Sequence, residues 1–347
     1  MTYLSYSGWK TYATCPCQYW HKYVNKTRLQ LPENGLNTLF GSTVGVVFEA
    51  FYRDRIYKRP KYVSELQGMA ESVLDKAIKD QIKQGRIVDW TDEKSNYPRR
   101  DKEGVLTDGR LASAVPAGEL MVLGRKEILS DAYIAIAHGV NTIRDNRFVG
   151  PLMEAELKLD TRFGPHIIGG RSDFVVKRVV PYNDVVIIDG KGSQHREKYV
   201  DGKPRKEGQP VEGVQLKWYA FLYREQYKRP PDTLAYIFWR YSGEKAVEWV
   251  PFTESDLDVL KDETLSTVKR IDRTTAQVEQ APGSQTKQEL REELFPAQSG
   301  HHCTLCAYSE VCTEGQKYVA QFEGRKRKAK ATLPKGVTDF SLGLDDD

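Results

Sequence analysis

IIGGRSD, residues 167–173, and VVIIDGK, residues 185–191, decide how this chain is read. Each is an apolar run that reaches an aspartate, and the intervening PYND at 181–184 is a turn signal. Two strands joined by a short turn bring Asp173 and Asp189 together. On a strand, residues i and i+2 share a face, so Asp189 and Lys191 project together with Gly190 between them. An aspartate ending a run as apolar as VVII stands at the edge of a core, where an unpaired charge is costly unless a metal ion or a partner compensates it. Two carboxylates beside an ammonium suit phosphodiester hydrolysis, because Mg²⁺ or Mn²⁺ prefers oxygen ligands and lysine can orient the attacking water or neutralise developing charge. The plainer reading of Asp189 and Lys191 is an ion pair at a strand end.

Working outward, MEAELKLDTRF at 153–163 reads as a strand before these two, with Glu154 or Glu156 as a further ligand. VEGVQLKWYAFLYREQYK at 211–228 has helical spacing, which puts Gln215 and Tyr219 on one face, four residues apart. TLAYIFWRY and KAVEWVPF are further strand candidates. Upstream, Phe40, Val44, Val47, Phe48, Phe51 and Tyr52 recur with the period of an amphipathic helix beginning near Gly41, and this helix carries Glu49. Residues 61–85 and 117–147 also read as helix, separated by a polar, glycine-containing loop. The chain thus divides into a helical part (1–150), a core of sheet and helix (151–252), a helical and cysteine-bearing region (253–320) and a mobile tail (321–347). In the tail, the basic run GRKRKAK can touch a phosphate backbone and the acidic tip can dock on a protein partner.

The chain has 347 residues, of which 39% are hydrophobic and 29% charged, enough for a large core in one or two domains. No apolar run approaches the roughly 18 to 20 residues needed to span a bilayer, and the N-terminus lacks a signal-peptide pattern, so a cytoplasmic protein without a membrane partner is expected. With 52 Lys and Arg against 48 Asp and Glu, net charge decides little about partners.

All five cysteines lie near the ends: Cys15, Cys17, Cys303, Cys306 and Cys312. C-x2-C-x5-C at 303–312 can converge on one ion or cluster. Cys15 is the expected fourth ligand, with Cys17 or His302 as fallbacks, and four thiolates suit either structural zinc or an iron–sulfur cluster.

In order and content these residues resemble the RecB-like PD-(D/E)XK nucleases with an iron–sulfur cluster, the group of the AddB nuclease domain and the CRISPR-associated iron–sulfur exonucleases. The likeness runs from Ser5-Tyr6-Ser7-Gly8-Trp9 and Cys15-Pro16 through the helix from Gly41, Gly170-Arg-Ser-Asp173, Asp189-Gly-Lys191 and Gln215-x-x-x-Tyr219 to the terminal cysteines. It implies an α/β fold with a restriction-endonuclease-like core, a central mixed sheet flanked by helices, and a 4Fe–4S cluster on Cys15, Cys303, Cys306 and Cys312 joining the N- and C-terminal regions. It implies Mg²⁺ or Mn²⁺ on Asp173, Asp189 and Gly190, Lys191 as the catalytic lysine, and Gln215 and Tyr219 beside it. The expected function is DNA cleavage, single-strand exonuclease in kind, during recombination, repair or phage DNA processing in a bacterial or phage-infected cytoplasm, alongside a recombination or replication protein. The family's helical Gly-x-x-x-His pattern is broken here by Gly45, and Glu49, one turn further on, is the candidate substitute. A non-catalytic DNA-binding protein and a zinc-stabilised interaction protein are the rival readings.

Overall fold

The protein is described by a computed structural model covering residues 2–27, 36–83, 125–150, 152–179, 181–192, 199–200, 203–204 and 213–332. In chain order the elements are β1 (Tyr3–Ser5), α1 (Tyr6–Thr14), α2 (Pro16–Tyr19), a π-helical turn (Trp20–Val24), α3 (Leu36–Arg53), α4 (Tyr62–Lys83) and α5 (Arg125–Asp145). There follow β2 (Leu152–Phe163), β3 (His166–Lys177), β4 (Val185–Lys191), β5 (Tyr199–Val200), β6 (Lys203–Pro204), α6 (Val214–Tyr227), β7 (Thr233–Phe238) and β8 (Val247–Trp249). The chain closes with α7 (Glu254–Gln280), α8 (Ser284–Leu294) and α9 (Thr313–Thr332). These fall into two compact units, one of residues 1–6 and 33–268, the other of residues 7–32 and 269–347. The division differs from the four segments read off the sequence, because residues from both ends of the chain belong to the second unit.

The first unit is built on a mixed six-stranded sheet. β3 pairs antiparallel with β2 along one edge; along the other it pairs parallel with β1 through 167–169 and antiparallel with β4 through 174–177. β4 continues parallel to β7, and β7 antiparallel to β8. As the central strand, β4 is apolar on both faces: Val185, Val186, Ile187 and Ile188 are all buried. Burial of each such side chain is worth roughly 1.5–3 kcal/mol before chain entropy is subtracted. The return from β3 to β4 is pinned by Arg178, whose guanidinium donates to both carboxylate oxygens of Asp184 at 2.8 and 2.5 Å and whose backbone N–H donates to the Asp184 carbonyl at 2.8 Å. That clasp fixes the register of the two strands.

Helices cover both faces. Phe174, Val176, Val186, Ile188, Ala235 and Ile237 point into a core shared with α3, α4 and α5, where Phe48 stacks on Trp239 at 4.2 Å. The opposite face meets α6, which crosses between the parallel strands β4 and β7. α3 begins at Leu36, five residues before the start read from Gly41, because Leu39 and Phe40 are buried and extend the apolar stripe backwards. α4 closely matches the expected 61–85; of the expected 117–147, residues 125–145 are helix and 117–124 lie outside the described residues, as do the polar loop at 90–110 and the tail beyond Thr332. From 321 to 332 the chain is helical, within α9, where the sequence reading has a tail. α7 and α8 are separated by a short break at Ala281-Pro282-Gly283.

In the second unit, Phe295 packs edge-on against Tyr12 at 6.3 Å and against Trp20 at 4.9 Å, and the Cys17 backbone N–H donates to the Pro296 carbonyl at 3.3 Å. These contacts set the fragment around Cys15 beside the two short turns, His301–Leu305 and Ser309–Val311, that carry the C-terminal cysteines. Among the described residues no helix is long and apolar enough to cross a membrane.

Candidate functional site

The β3–β4 ladder pairs Phe174 with Ile188, and the β2–β3 ladder places Ala155 and Leu157 opposite Phe174 and Ser172. Continuing both registers by one residue sets Glu156, Asp173 and Asp189 in a row across three strands, on the face that α6 covers. Asp189 then lies opposite Tyr236 of β7. Turn chemistry and strand register together thus convert three separated acidic residues into neighbours.

Asp189 is buried, and its Oδ2 lies 2.5 Å from the Lys191 ammonium. Lys191 also donates to Gln215 Oε1 at 2.8 Å and sits 5.2 Å over the Tyr236 ring. The Gln215 amide nitrogen donates to Asp189 Oδ1 at 3.2 Å and to the Tyr219 hydroxyl at 3.0 Å. Asp173 Oδ2 accepts the Gly190 N–H at 2.8 Å. Burial, and then the Asp189 charge, push the Asp173 carboxyl up to about 8, so two carboxylates share a space in which one prefers to stay protonated without a cation. Burial and the same Asp189 charge raise the Tyr219 hydroxyl, which stays protonated.

Two glycines are required by close approach. A Cβ on Gly190 would stand 2.5 Å from the Trp239 ring, and one on Gly170 would stand 2.9 Å from the Tyr219 ring. Gly190 therefore lets β4 pass Trp239 between the two functional side chains, and Gly170 lets Tyr219 lie against β3.

Asp173, Asp189, Gly190, Lys191, Gln215 and Tyr219, all expected from the sequence, are thus brought together. Glu49 is placed differently: on α3 it forms a 2.6 Å ion pair with Arg53, and it is absent from the charges that act most on Asp173. α3 lies against the other face of the sheet, where Phe174 and Ile188 point. The carboxylate that does reach the site is Glu156, whose charge helps raise both Asp173 and Tyr219 and which pairs with Arg171 at 3.2 Å. Its φ of +55° is left-handed, an uncommon and costly conformation for a glutamate within a strand. Strand alternation left Glu154 and Glu156 undistinguished, and no periodic signal announces a left-handed residue.

Among the described residues, no group of three His, Cys, Asp or Glu side chains is gathered tightly enough to hold a metal ion. Mg²⁺ characteristically takes one or two carboxylates and completes its shell with water, so Asp173, Asp189 and the Gly190 carbonyl fit such an ion in donor type. A candidate position for a histidine exists at Gly45, where an added Cβ meets nothing within 4 Å.

The second unit holds a pocket lined by all five cysteines together with His21, His302 and Tyr308. All five are free thiols, and Cys15, Cys17 and Cys303 are buried. Burial raises the Cys17, Cys303 and Cys306 thiols, with the neighbouring thiols adding to the shift. The Gly315 N–H donates to Cys312 Sγ at 3.4 Å, and His302 Nε2 lies 3.8 Å from Cys303 Sγ. Arg291 reaches Cys17 at 3.7 Å, which sets that thiol apart from the others. Soft sulfur donors lining one pocket, with N–H donors beside them, match a thiolate-bound metal group in donor type, although among the described residues they are not drawn together as a ligand set.

The comparison with curated proteins finds no match. A solved structure described as "Crystal structure of SSO0001" aligns with 55% of this chain and 76% of that one, at 16% identity and a TM-score of 0.24. The family model described as PD-(D/E)XK nuclease superfamily matches residues 3–313, a span that includes the row of carboxylates, Lys191 and all five cysteines. This chain belongs to the PD-(D/E)XK nuclease superfamily.

Proposed function

We propose that the protein is a metal-dependent deoxyribonuclease of the RecB-like, iron–sulfur kind, acting on single-stranded DNA or free DNA ends in recombination, repair or phage DNA processing. The observation that carries this reading is the closed network of Asp189, Lys191, Gln215 and Tyr219 beside Asp173. Asp173, Asp189 and the Gly190 carbonyl would hold Mg²⁺ or Mn²⁺, which when bound polarises the phosphoryl group and lowers the pKa of a water. Lys191, held by Asp189 and Gln215, offers its ammonium to the attacking water or to the charge that develops on phosphate. Tyr219 keeps the Gln215 amide turned so that its oxygen faces Lys191. Cys15, Cys303, Cys306 and Cys312 would hold a 4Fe–4S cluster that ties the ends of the chain together. A recombination or replication protein docking through residues beyond Thr332 belongs to the same reading.

The test is incubation of end-labelled single-stranded DNA with the purified protein in Mg²⁺ and in Mn²⁺. Product from the parent, and none from Lys191→Ala, is the expected result. If the parent binds DNA but cuts it in neither metal, the non-catalytic reading holds; Gly45, standing where the family's histidine would be, is the observation that favours it. A colourless protein containing zinc and no iron or sulfide would replace the iron–sulfur cluster by a structural zinc ion.

A further inference from the structure

His21 is buried, and its ring is fixed on two sides. It stacks on Tyr308 at 5.4 Å with the planes 17° apart, and its Nδ1 lies 3.2 Å from the Thr27 hydroxyl. Thr27 is itself anchored, because its backbone N–H donates to the His21 carbonyl at 2.9 Å. The Asn25 amide nitrogen donates to the Thr27 hydroxyl oxygen at 2.9 Å. The Thr27 hydroxyl has one proton to give, and when it gives it to His21 Nδ1 a neutral imidazole carries its own proton on Nε2.

That Nε2 is shielded from water and, among the described residues, has no hydrogen-bond partner. His21 also borders an open groove with Trp20, Lys287 and Arg291, yet a ring nitrogen directed there would be wetted. The other surface that His21 lines is the more enclosed pocket of the five cysteines. A buried donor without an acceptor is costly. Ionised thiolates, or inorganic sulfide bridging metal ions, are the acceptors that the chemistry of this pocket can supply.

We infer that His21 is a positioning residue of the thiol pocket, donating its Nε2–H to a sulfur of an anionic, thiolate-bound metal group. The inference rests on the metal-bound reading of the cysteines and adds to it a residue outside the cysteine set. Hydrogen bonds to coordinating sulfur spread its negative charge, hold the thiolate against protonation and raise the reduction potential of an iron–sulfur group. Thr27 acts through His21 by fixing which ring nitrogen bears the proton. The Tyr308 stack fixes the plane in which that proton points.

The experiment uses the full chain purified anaerobically. Iron, sulfide and zinc are first quantified in the parent; a parent without bound metal sinks the underlying reading before any variant is made. His21→Phe keeps the stack and removes the donor, His21→Gln restores a donor near the Nε2 position, and Thr27→Val leaves the ring without its fixed tautomer. The expected result is that His21→Phe takes up the parental metal content but surrenders it to a chelator about tenfold faster, the effect of losing one charge-assisted hydrogen bond. If the metal is iron, its reduction equilibrium weakens by about tenfold, which is about 59 mV for a one-electron couple. His21→Gln stays near the parent and Thr27→Val falls between. Parental release rates in both His21→Phe and Thr27→Val would overturn the inference. Loss of metal in His21→Phe and His21→Gln alike would overturn it in another direction, by making His21 a ligand. Should His21→Phe fail to fold, Thr27→Val carries the same test, and ¹⁵N chemical shifts of His21 in the parent report directly whether Nε2 bears the proton.

Discussion

Asp173→Asn should stabilise the metal-free protein while removing its activity. Asp173 faces Asp189, and burial and that charge raise its carboxyl from 3.8 to about 8. A carboxyl raised in the folded state contributes stability that is fully present below its unfolded value near 4 and is lost as pH rises to about 8. Across that window the shift is about four units, an upper bound of roughly 5–6 kcal/mol at 1.36 kcal/mol per unit. Local relaxation and partial access to solvent reduce the usable figure to the order of 2 kcal/mol. Asparagine has the size of the acid, keeps an oxygen for the Gly190 N–H, and carries no charge at any pH. In chelator at pH 8.5 the variant should therefore melt about 5 °C above the parent, and at pH 4.5 the two should nearly coincide. With Mg²⁺ added the order should narrow or reverse, since only the parent has two carboxylates to offer. Cleavage should fall by at least about 100-fold. Calorimetry with and without metal, read beside the cleavage rate, makes the check. A variant that melts below the parent at pH 8.5 in chelator would refute the picture of two carboxylates held together at a cost.

Lys191→Ala should lose cleavage to the same degree but with the opposite effect on stability, destabilising the metal-free protein by about 1–3 kcal/mol because buried Asp189 loses its 2.5 Å partner. Denaturant unfolding in chelator measures it, and the figure allows for the partial exposure of Lys191. Glu156→Gln should raise the metal concentration needed for half-maximal cleavage, whereas Glu49→Gln should leave it unchanged; titrations of activity against Mg²⁺ and Mn²⁺ separate the two glutamates. Cys306→Ala should empty the thiol pocket of metal and lower the melting temperature, because a group joining Cys15 to Cys303 closes a loop of nearly the whole chain, a constraint of about 2–5 kcal/mol by analogy with long-range crosslinks. Cys17→Ala should retain the parental metal content by elemental analysis, and an equal loss there would make Cys17 a ligand.

What the sequence made legible follows from how each feature is encoded. The strands at 166–177 and 185–191 are rich in β-branched residues, that at 152–163 alternates apolar with charged residues, and turn residues separate them, so both their existence and their succession can be read locally. The approach of Asp173 to Asp189 follows from a short turn between adjacent strands. Gln215 and Tyr219 follow from a helical period of four, although nothing local says that their face meets Lys191. Glu49 marks the limit. Its helix was legible, yet which face of the sheet α3 covers is decided by tertiary packing of Phe48 against Trp239, and that packing pairs Glu49 with Arg53. His21 was silent for a similar reason: its significance arises from Thr27 and Tyr308, and Tyr308 is remote in sequence.

The choice of glutamine at 215 follows from the charges around it. The side chain at that position must accept from an ammonium at 2.8 Å and donate to a carboxylate at 3.2 Å and a hydroxyl at 3.0 Å, all within one partly buried cluster. Glutamate would meet Lys191 but would set a further negative charge against Asp189 and leave the Tyr219 hydroxyl without its donor. Leucine would fill the volume and strand every partner, at on the order of 1–3 kcal/mol for each buried group left unsatisfied. An amide is the neutral side chain that presents an acceptor and two donors on one planar group, and its orientation is forced by the charges on either side. Lys191 on one flank and Asp189 on the other leave the amide only one way round, with Tyr219 as the second acceptor for its nitrogen. Gln215 therefore does for Lys191 what the Gly190 N–H does for Asp173: each fixes an ionisable group in place without adding a charge of its own to a site whose carboxyl groups outnumber its one ammonium and leave room for a cation.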